Sequence, residues 1–250
     1  MTEPYVKIKN KNGVGYIEFF HPAHNSLPSN LLSELARTIT GAGEDDSIKV
    51  IVLQSGGERT FCAGASFEEL VAITNQEVGK IFFSGFANVI NAMRKCPKFI
   101  IGRVQGKTVG GGVGLAAATD FCMATKFAEI KLSELNVGIG PFVVGPAIER
   151  KIGLSGFSQI ALDCNTFYSA EWAKQKGLFS KVFESTEELD AALTAFAENL
   201  RSYNPKAMTE MKTMFWRGTE DWDQLLIQRA KISGRLVLSE FTKEKLKGFK

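Results

Sequence analysis

The chain has 250 residues, 44% of them hydrophobic and 23% charged, which suits one large globular core and excludes disorder as its main character. Its 30 basic and 27 acidic side chains leave a net charge of +3, too small an excess for a surface committed to nucleic acid. Four widely spaced cysteines (Cys62, Cys96, Cys122, Cys164) without a CxxC pair, and only two histidines, His21 and His24, argue against a disulfide framework and leave few ligands for zinc.

At the start of the chain, Met-Thr-Glu-Pro-Tyr-Val-Lys has no basic stretch followed by an apolar one, so no signal peptide is expected. Tyr5–Lys9 and Val14–Phe20 are β-rich and flank the turn signal Asn10-Lys11-Asn12-Gly13, which predicts a hairpin. Pro28 opens a helical pattern with Leu31, Leu32, Leu35 and Ile39 on one face, closed by Gly41 and Gly43. Ile48–Gln54 is a continuous apolar run, as in a strand buried on both faces. After a loop through Phe61–Ser66, helices are predicted over Phe67–Thr74 and Gln76–Cys96, the second stopped by Pro97.

Phe99–Val104 reads as another buried strand. The glycine-dense Gly106–Gly114 leads into Leu115–Thr119, and short strands follow at Phe121–Thr125, Ala128–Leu132 and Leu178–Phe183, with short helices between the last two. This alternation predicts an α/β core over residues 1–184. From Ser185, an N-cap followed by acids in the first turn, the pattern is helical to the end, which predicts a helical region over 185–250. No stretch of ~18 uninterrupted apolar residues exists, so no membrane partner is expected. A protein of the reducing cytoplasm is the expectation.

Three functional readings compete for the glycines. Gly102-Arg103-Val104-Gln105-Gly106-Lys107-Thr108 is one residue short of a phosphate-binding loop, whose amides wrap phosphate in a ring of fixed size. Gly112-Val113-Gly114-Leu115-Ala116-Ala117 fits a dinucleotide fingerprint, with Glu134 near the expected place of a ribose-binding acid, but it lies deep in the chain. In the third reading, two small-residue loops act together: Phe61-Cys62-Ala63-Gly64-Ala65-Ser66 and Val109-Gly110-Gly111-Gly112-Val113-Gly114. Backbone amides converging from two such loops can hold an oxyanion.

Several stretches, in order along nearly the whole chain, carry a specific resemblance: His24-Asn25-Ser26-Leu27, Phe61–Ala65, Val104-Gln105-Gly106 with Gly110-Gly111-Gly112, Ser169-Ala170-Glu171-Trp172-Ala173 with Gly177-Leu178, and the ending Phe241–Phe249. Together they resemble the crotonase superfamily, or enoyl-CoA hydratase/isomerase family. The resemblance implies a core of repeated ββα units in two roughly perpendicular sheets, and a C-terminal helical region for assembly into a homotrimer or dimer of trimers. It implies an acyl-CoA thioester substrate, whose CoA leaves no separate cofactor to supply. Its oxygen would meet the backbone N–H groups of Ala65 and Gly111. His24, Ser26, Ala63, Ser66, Phe67, Gly110 and Phe142 are the expected substrate-binding residues.

Family hydratases hold a water between two glutamates. One matches Glu134; the other falls at Gly114, which has no carboxylate. One glutamate suffices to move a proton between two carbons, as in family 3-enoyl-CoA isomerases, so isomerisation by Glu134 is the leading expectation. Hydration of a short or branched enoyl-CoA, such as methylglutaconyl-CoA, and a non-catalytic acyl-CoA-binding role are the alternatives. Glu68, Glu69 and Asp120 are nearby carboxylates that a hydratase could recruit, Asp120 reading more strongly as structural. Phe142, Val143 and Val144 replace smaller family residues and predict a drier, narrower pocket. Ser66 stands where many members carry Asp, and His24 where a Lys or Arg often meets the CoA nucleotide. An unpaired carboxylate in such a pocket should titrate above its ordinary range.

Overall fold

The computed structural model describes residues 3–247; Met1, Thr2 and the Phe249 of the family-like ending lie outside the described residues. The predicted hairpin is β1 (Tyr5–Lys11) paired antiparallel with β2 (Val14–Phe20). Next come α1 (Ser29–Glu44), β3 (Val50–Ser55), β4 (Thr60–Cys62), α2 (Phe67–Val71) and α3 (Gln76–Lys95). A third pair of strands follows, β5 (Ile100–Val104) and β6 (Lys107–Val109), with α4 (Gly111–Ala118); then β7 (Phe121–Thr125), β8 (Ile130–Lys131) and α5 (Gly145–Leu162). After α6 (Ala170–Gln175) and β9 (Lys181–Phe183) the chain is helical: α7 (Thr186–Arg201), α8 (Pro205–Phe215), α9 (Trp222–Leu236) and α10 (Glu240–Lys247).

The strands sort into two sheets. Six form the order β1-β2-β3-β5-β7-β9, parallel from β2 onward. The other three, β4-β6-β8, form a small parallel sheet. The second strand of each later ββα unit thus leaves the large sheet for the small one. This is the expected α/β fold with two sheets.

Burial explains the apolar runs. In β3, Ile51 and Leu53 pack into the main core with Leu31, Leu32, Leu35 and Ile39 of α1. Its alternate residues Val50 and Val52 face the other side, where Leu189, Leu193 and Ala197 of α7 cover them. Side chains alternate faces along a strand, so a strand covered on both sides has no polar face to show. Each fully buried Leu, Ile or Val contributes roughly 1.5–3 kcal/mol.

The described residues from Ser185 onward are helical but do not stand apart from the α/β core. α7 is one wall of the sheet's second core, and α9 packs along α3. A helix that supplies the covering layer of a sheet is part of the core rather than an appendage. α10 is braced to the loop after β8, where Thr242 Oγ1 donates to the Gly138 carbonyl at 3.1 Å. At the other end of α1, Gly41 and Gly43 lie inside the helix, which runs to Glu44.

Candidate active site

The small sheet positions the site. Its three parallel strands end in the three segments that the sequence singles out: Ala63–Ser66 after β4, Gly110-Gly111 after β6 and Ser133-Glu134 after β8. Loops at the carboxyl ends of neighbouring parallel strands converge in space, which is why residues far apart in sequence meet here.

The first loop is fixed by the stretch before α1. Leu27 N–H donates to the Gly64 carbonyl at 2.8 Å, and Ser66 N–H donates to the Leu27 carbonyl at 3.0 Å. Ala65, between them, turns its own N–H the other way, and that N–H meets no protein acceptor among the described residues. Ser26 Oγ donates to the Ala65 carbonyl at 2.9 Å. Asn25 is buried and ties the stretch down: its Oδ1 accepts from His21 N–H, and its Nδ2 donates to the Gly56 and Thr60 carbonyls.

The second loop ends at the N-terminus of α4. Gly110, its N-cap, has φ +53°, a conformation that favours glycine. Its N–H is bound to the Lys131 carbonyl, which ties β6 to β8. Gly111 begins the helix, where a backbone N–H has no intrahelical partner and carries partial positive charge. The two loops touch: a Cβ placed on Gly64 would lie 3.6 Å from the Gly111 nitrogen.

Glu134 opens a single 3-10 turn, Glu134–Val137. Its carboxylate lies against Gly110, where an added Cβ would come within 3.0 Å of Oε1. Although the residue as a whole is half-buried, Oε2 is sealed from solvent and has no hydrogen-bond partner among the described residues. Desolvation raises its pKa from the ordinary 4.5 to about 7, with its own backbone N–H opposing the rise.

These segments wall a cavity of about 400 Å³. Five phenylalanines line it: Phe67, Phe82, Phe83, Phe86 and Phe142. Leu70, Val137, Ile139, Val143 and Val144 add to the apolar wall. Among the described residues that line it, Glu134 is the one ionisable group, and Ser26, Ser133 and Ser233 bring the side-chain hydroxyls.

Gly114 bears directly on the chemistry. A Cβ there would meet Val144 Cγ1 at 2.4 Å and Val144 Cβ at 2.7 Å, so Val144 fills the place a longer side chain would need. Gly114→Glu alone is therefore expected to destabilise the fold by about 1–3 kcal/mol or more through overpacking. Adding Val144→Gly should recover part of that loss in urea unfolding; equal stabilities of the two variants would show that Val144 is not the obstacle.

Eight of the ten residues singled out from the sequence line the cavity: Ser26, Ala63, Ala65, Phe67, Gly110, Gly111, Glu134 and Phe142. Two do not. Ser66 caps α2 instead, its Oγ accepting from Glu69 N–H at 3.3 Å. His24 is exposed at φ +55°, one residue from the cavity-lining Ala23. The other carboxylates are engaged elsewhere or outside the lining. Glu69 accepts from the N–H and hydroxyl of Ser29, and Glu68 is exposed. The Asp120 side chain is buried and paired with Lys212.

The competing glycine motifs dissolve in the fold. Gly102 lies inside β5, and Gly112–Ala117 lies within α4, its glycines facing Cys62 and Val144. Sequence reasoning missed Phe82, Phe83, Phe86 and Ser233 as cavity residues. Phenylalanines on a helix do not tell a cavity wall from a core, and only the packing of α9 on α3 brings Ser233 to the wall.

Comparison with known proteins agrees with this geometry. The family model described as enoyl-CoA hydratase/isomerase matches residues 9–249. The human mitochondrial methylglutaconyl-CoA hydratase is 31% identical over 75% of this chain, a match spanning 55% of that protein's length. The peroxisomal Delta(3,5)-Delta(2,4)-dienoyl-CoA isomerase of Arabidopsis thaliana is 28% identical, covering 88% of this chain and 83% of its own. A crystal structure of enoyl-CoA hydratase from Bacillus halodurans superposes with a TM-score of 0.90 at 22% identity, over 98% of this chain and 99% of that one, and establishes the fold.

Proposed function

The chain belongs to the enoyl-CoA hydratase/isomerase family, and on that premise we propose that it is an acyl-CoA isomerase that shifts the double bond of a 3-enoyl-CoA to the 2-position. The observation that carries this reading is the solitary carboxylate. Among the described residues Glu134 is the one ionisable group lining an apolar cavity, its Oε2 is unpartnered, and Val144 occupies the place where a second acid would stand.

The reaction proceeds in two proton transfers. Glu134, as carboxylate, takes a proton from C2 of the thioester. The electron pair delocalises over C2–C4 and the thioester oxygen, which accepts hydrogen bonds from the N–H groups of Ala65 and Gly111. Donors already in place are effective in a water-poor cavity because they need no reorganisation as charge develops. The protonated Glu134 then returns the proton to C4, leaving the double bond between C2 and C3. A carboxyl group titrating near 7 is suited to both steps at neutral pH. Exposed His24, beside Ala23, meets the CoA nucleotide in this reading.

Rates with hex-3-enoyl-CoA and hex-2-enoyl-CoA, followed by the absorbance of the conjugated thioester, test the proposal. The expected result is appearance of the 2-enoyl product from the first and little loss of the second. Comparable hydration of hex-2-enoyl-CoA would contradict it. The pH profile of kcat/KM should rise with the ionisation of Glu134 and reach half its limit near pH 7; a profile flat from pH 5 to 8 would exclude Glu134 as the base.

The likeness to methylglutaconyl-CoA hydratase favours a second reading, hydration. It requires a second acid to position water, and the described lining residues offer only hydroxyls. Three further features complete the proposal. The four cysteines are free and buried, which suits the reducing cytoplasm. Among the described residues no helix is long and apolar enough to cross a membrane. Met211, Met214 and Phe215 of α8 are exposed and apolar, and they support assembly into a homotrimer or a dimer of trimers. Sedimentation at micromolar concentration should show no monomer; a monodisperse monomer would refute the assembly.

A further inference from the structure

The wall of the cavity restricts the acyl group that can enter it. Phe82, Phe83 and Phe86 come from α3, and Phe142 and Val143 face the cavity from the segment before α5. None of the described lining residues is Lys, Arg or His. All three cations of α3 are paired elsewhere: Lys80 with Glu77, and Arg94 and Lys95 with Asp223 of α9. Of the hydroxyls, that of Ser26 is already donated to the Ala65 carbonyl. Ser133 and Ser233 offer dipoles but no positive charge.

Resting on the acyl-CoA reading above, we infer that the acyl group taken beside Glu134 is uncharged and apolar, and that acyl chains ending in a second carboxylate are rejected. A carboxylate that leaves water for this cavity loses its hydration and finds no cation in return. It would also share the space with Glu134, a group of the same charge when ionised. A neutral chain pays neither cost and gains contact with the phenylalanine wall. The methylglutaconyl group for which the human relative is named does carry a second carboxylate, so the two proteins part on this point.

Calorimetric binding of three unreactive thioesters at pH 8 tests this independently of turnover: hexanoyl-CoA, adipoyl-CoA, and the methyl ester of adipoyl-CoA. Hexanoyl-CoA is expected to bind at least ~30-fold more tightly than adipoyl-CoA, and the neutral ester within about 5-fold of hexanoyl-CoA, because only the acid must be desolvated unpaired. Equal affinity for hexanoyl-CoA and adipoyl-CoA would overturn the inference and leave the acyl-CoA reading standing. An ester that binds as weakly as the acid would overturn it too, by assigning the rejection to size. Failure of all three to bind would remove the acyl-CoA reading and this inference with it.

Discussion

Replacing Glu134 by glutamine is expected to lower turnover of the best substrate by at least ~10²-fold, the usual scale of a lost general acid–base group, while thioester affinity changes little. Glutamine keeps the shape of the side chain and removes the proton it carries. The same variant should be more stable than the parent chain above neutral pH. An unfolded glutamate titrates near 4.5, whereas Glu134 in the fold titrates at about 7. Between those values the folded chain holds the extra proton, so the stability this group contributes is full below pH 4.5 and is lost as pH rises to about 7. At ~1.4 kcal/mol per unit, the loss is about 3 kcal/mol. Thermal unfolding should show Glu134→Gln overtaking the parent between pH 5 and 8. Unchanged turnover would remove Glu134 from the mechanism, and a stability difference independent of pH would show that its carboxyl group is not desolvated.

The second large effect is structural. Asp120 follows α4, and its buried side chain accepts from Ile100 N–H at 2.7 Å, Lys212 Nζ at 2.8 Å and Trp216 Nε1 at 2.9 Å. It thereby joins the helix that begins with Gly111 to β5 and to α8. Asp120→Ala leaves Lys212 buried without a counter-charge and should cost about 3–5 kcal/mol. That is a large part of the stability of an ordinary domain. At about 2–4 °C per kcal/mol, the melting temperature should fall by roughly 10 °C. Adding Lys212→Met removes the stranded charge and should recover part of the loss. A double variant no more stable than Asp120→Ala would mean that the pair's charge is not what holds this corner.

Local pattern made much of the fold legible. The turn at Asn12-Gly13 marked the hairpin, Pro97 marked the end of α3, and the apolar run of β3 marked a strand covered on both faces. The small sheet was only partly visible: β8 falls within the strand expected at Ala128–Leu132, but β4 and β6, three residues each, were not read as strands. Segments that short have no periodicity of their own and are defined by their partners. The packing of α7 was also hidden: its stripe of Leu193 and Ala197 announces an amphipathic helix but not the sheet it covers.

The candidate site divided in the same way. That Gly110, Gly111, Ala65 and Glu134 would lie together was legible because they sit in recognisable stretches. Bulk at Val144 was noticed in the sequence, but its contact with Gly114 depends on how the segment before α5 meets α4. Ser66 misled because a serine at the start of a helix can cap it or face a ligand with the same local sequence. The phenylalanines of α3 gave no signal of a site, because a cavity wall and a packed core use the same residues.

The fate of a single hydrogen tests the central claim most directly. Hex-3-enoyl-CoA carrying deuterium at both C2 positions should give, in ordinary water at early times, hex-2-enoyl-CoA with part of the label at C4, because Glu134 removes and returns the same nucleus inside a cavity poor in water. Glu134→Gln should form this labelled product at least ~10²-fold more slowly. A product bearing a hydroxyl at C3, or a 2-enoyl product with no label at C4 at any time, would contradict a proton shuttle on one carboxylate.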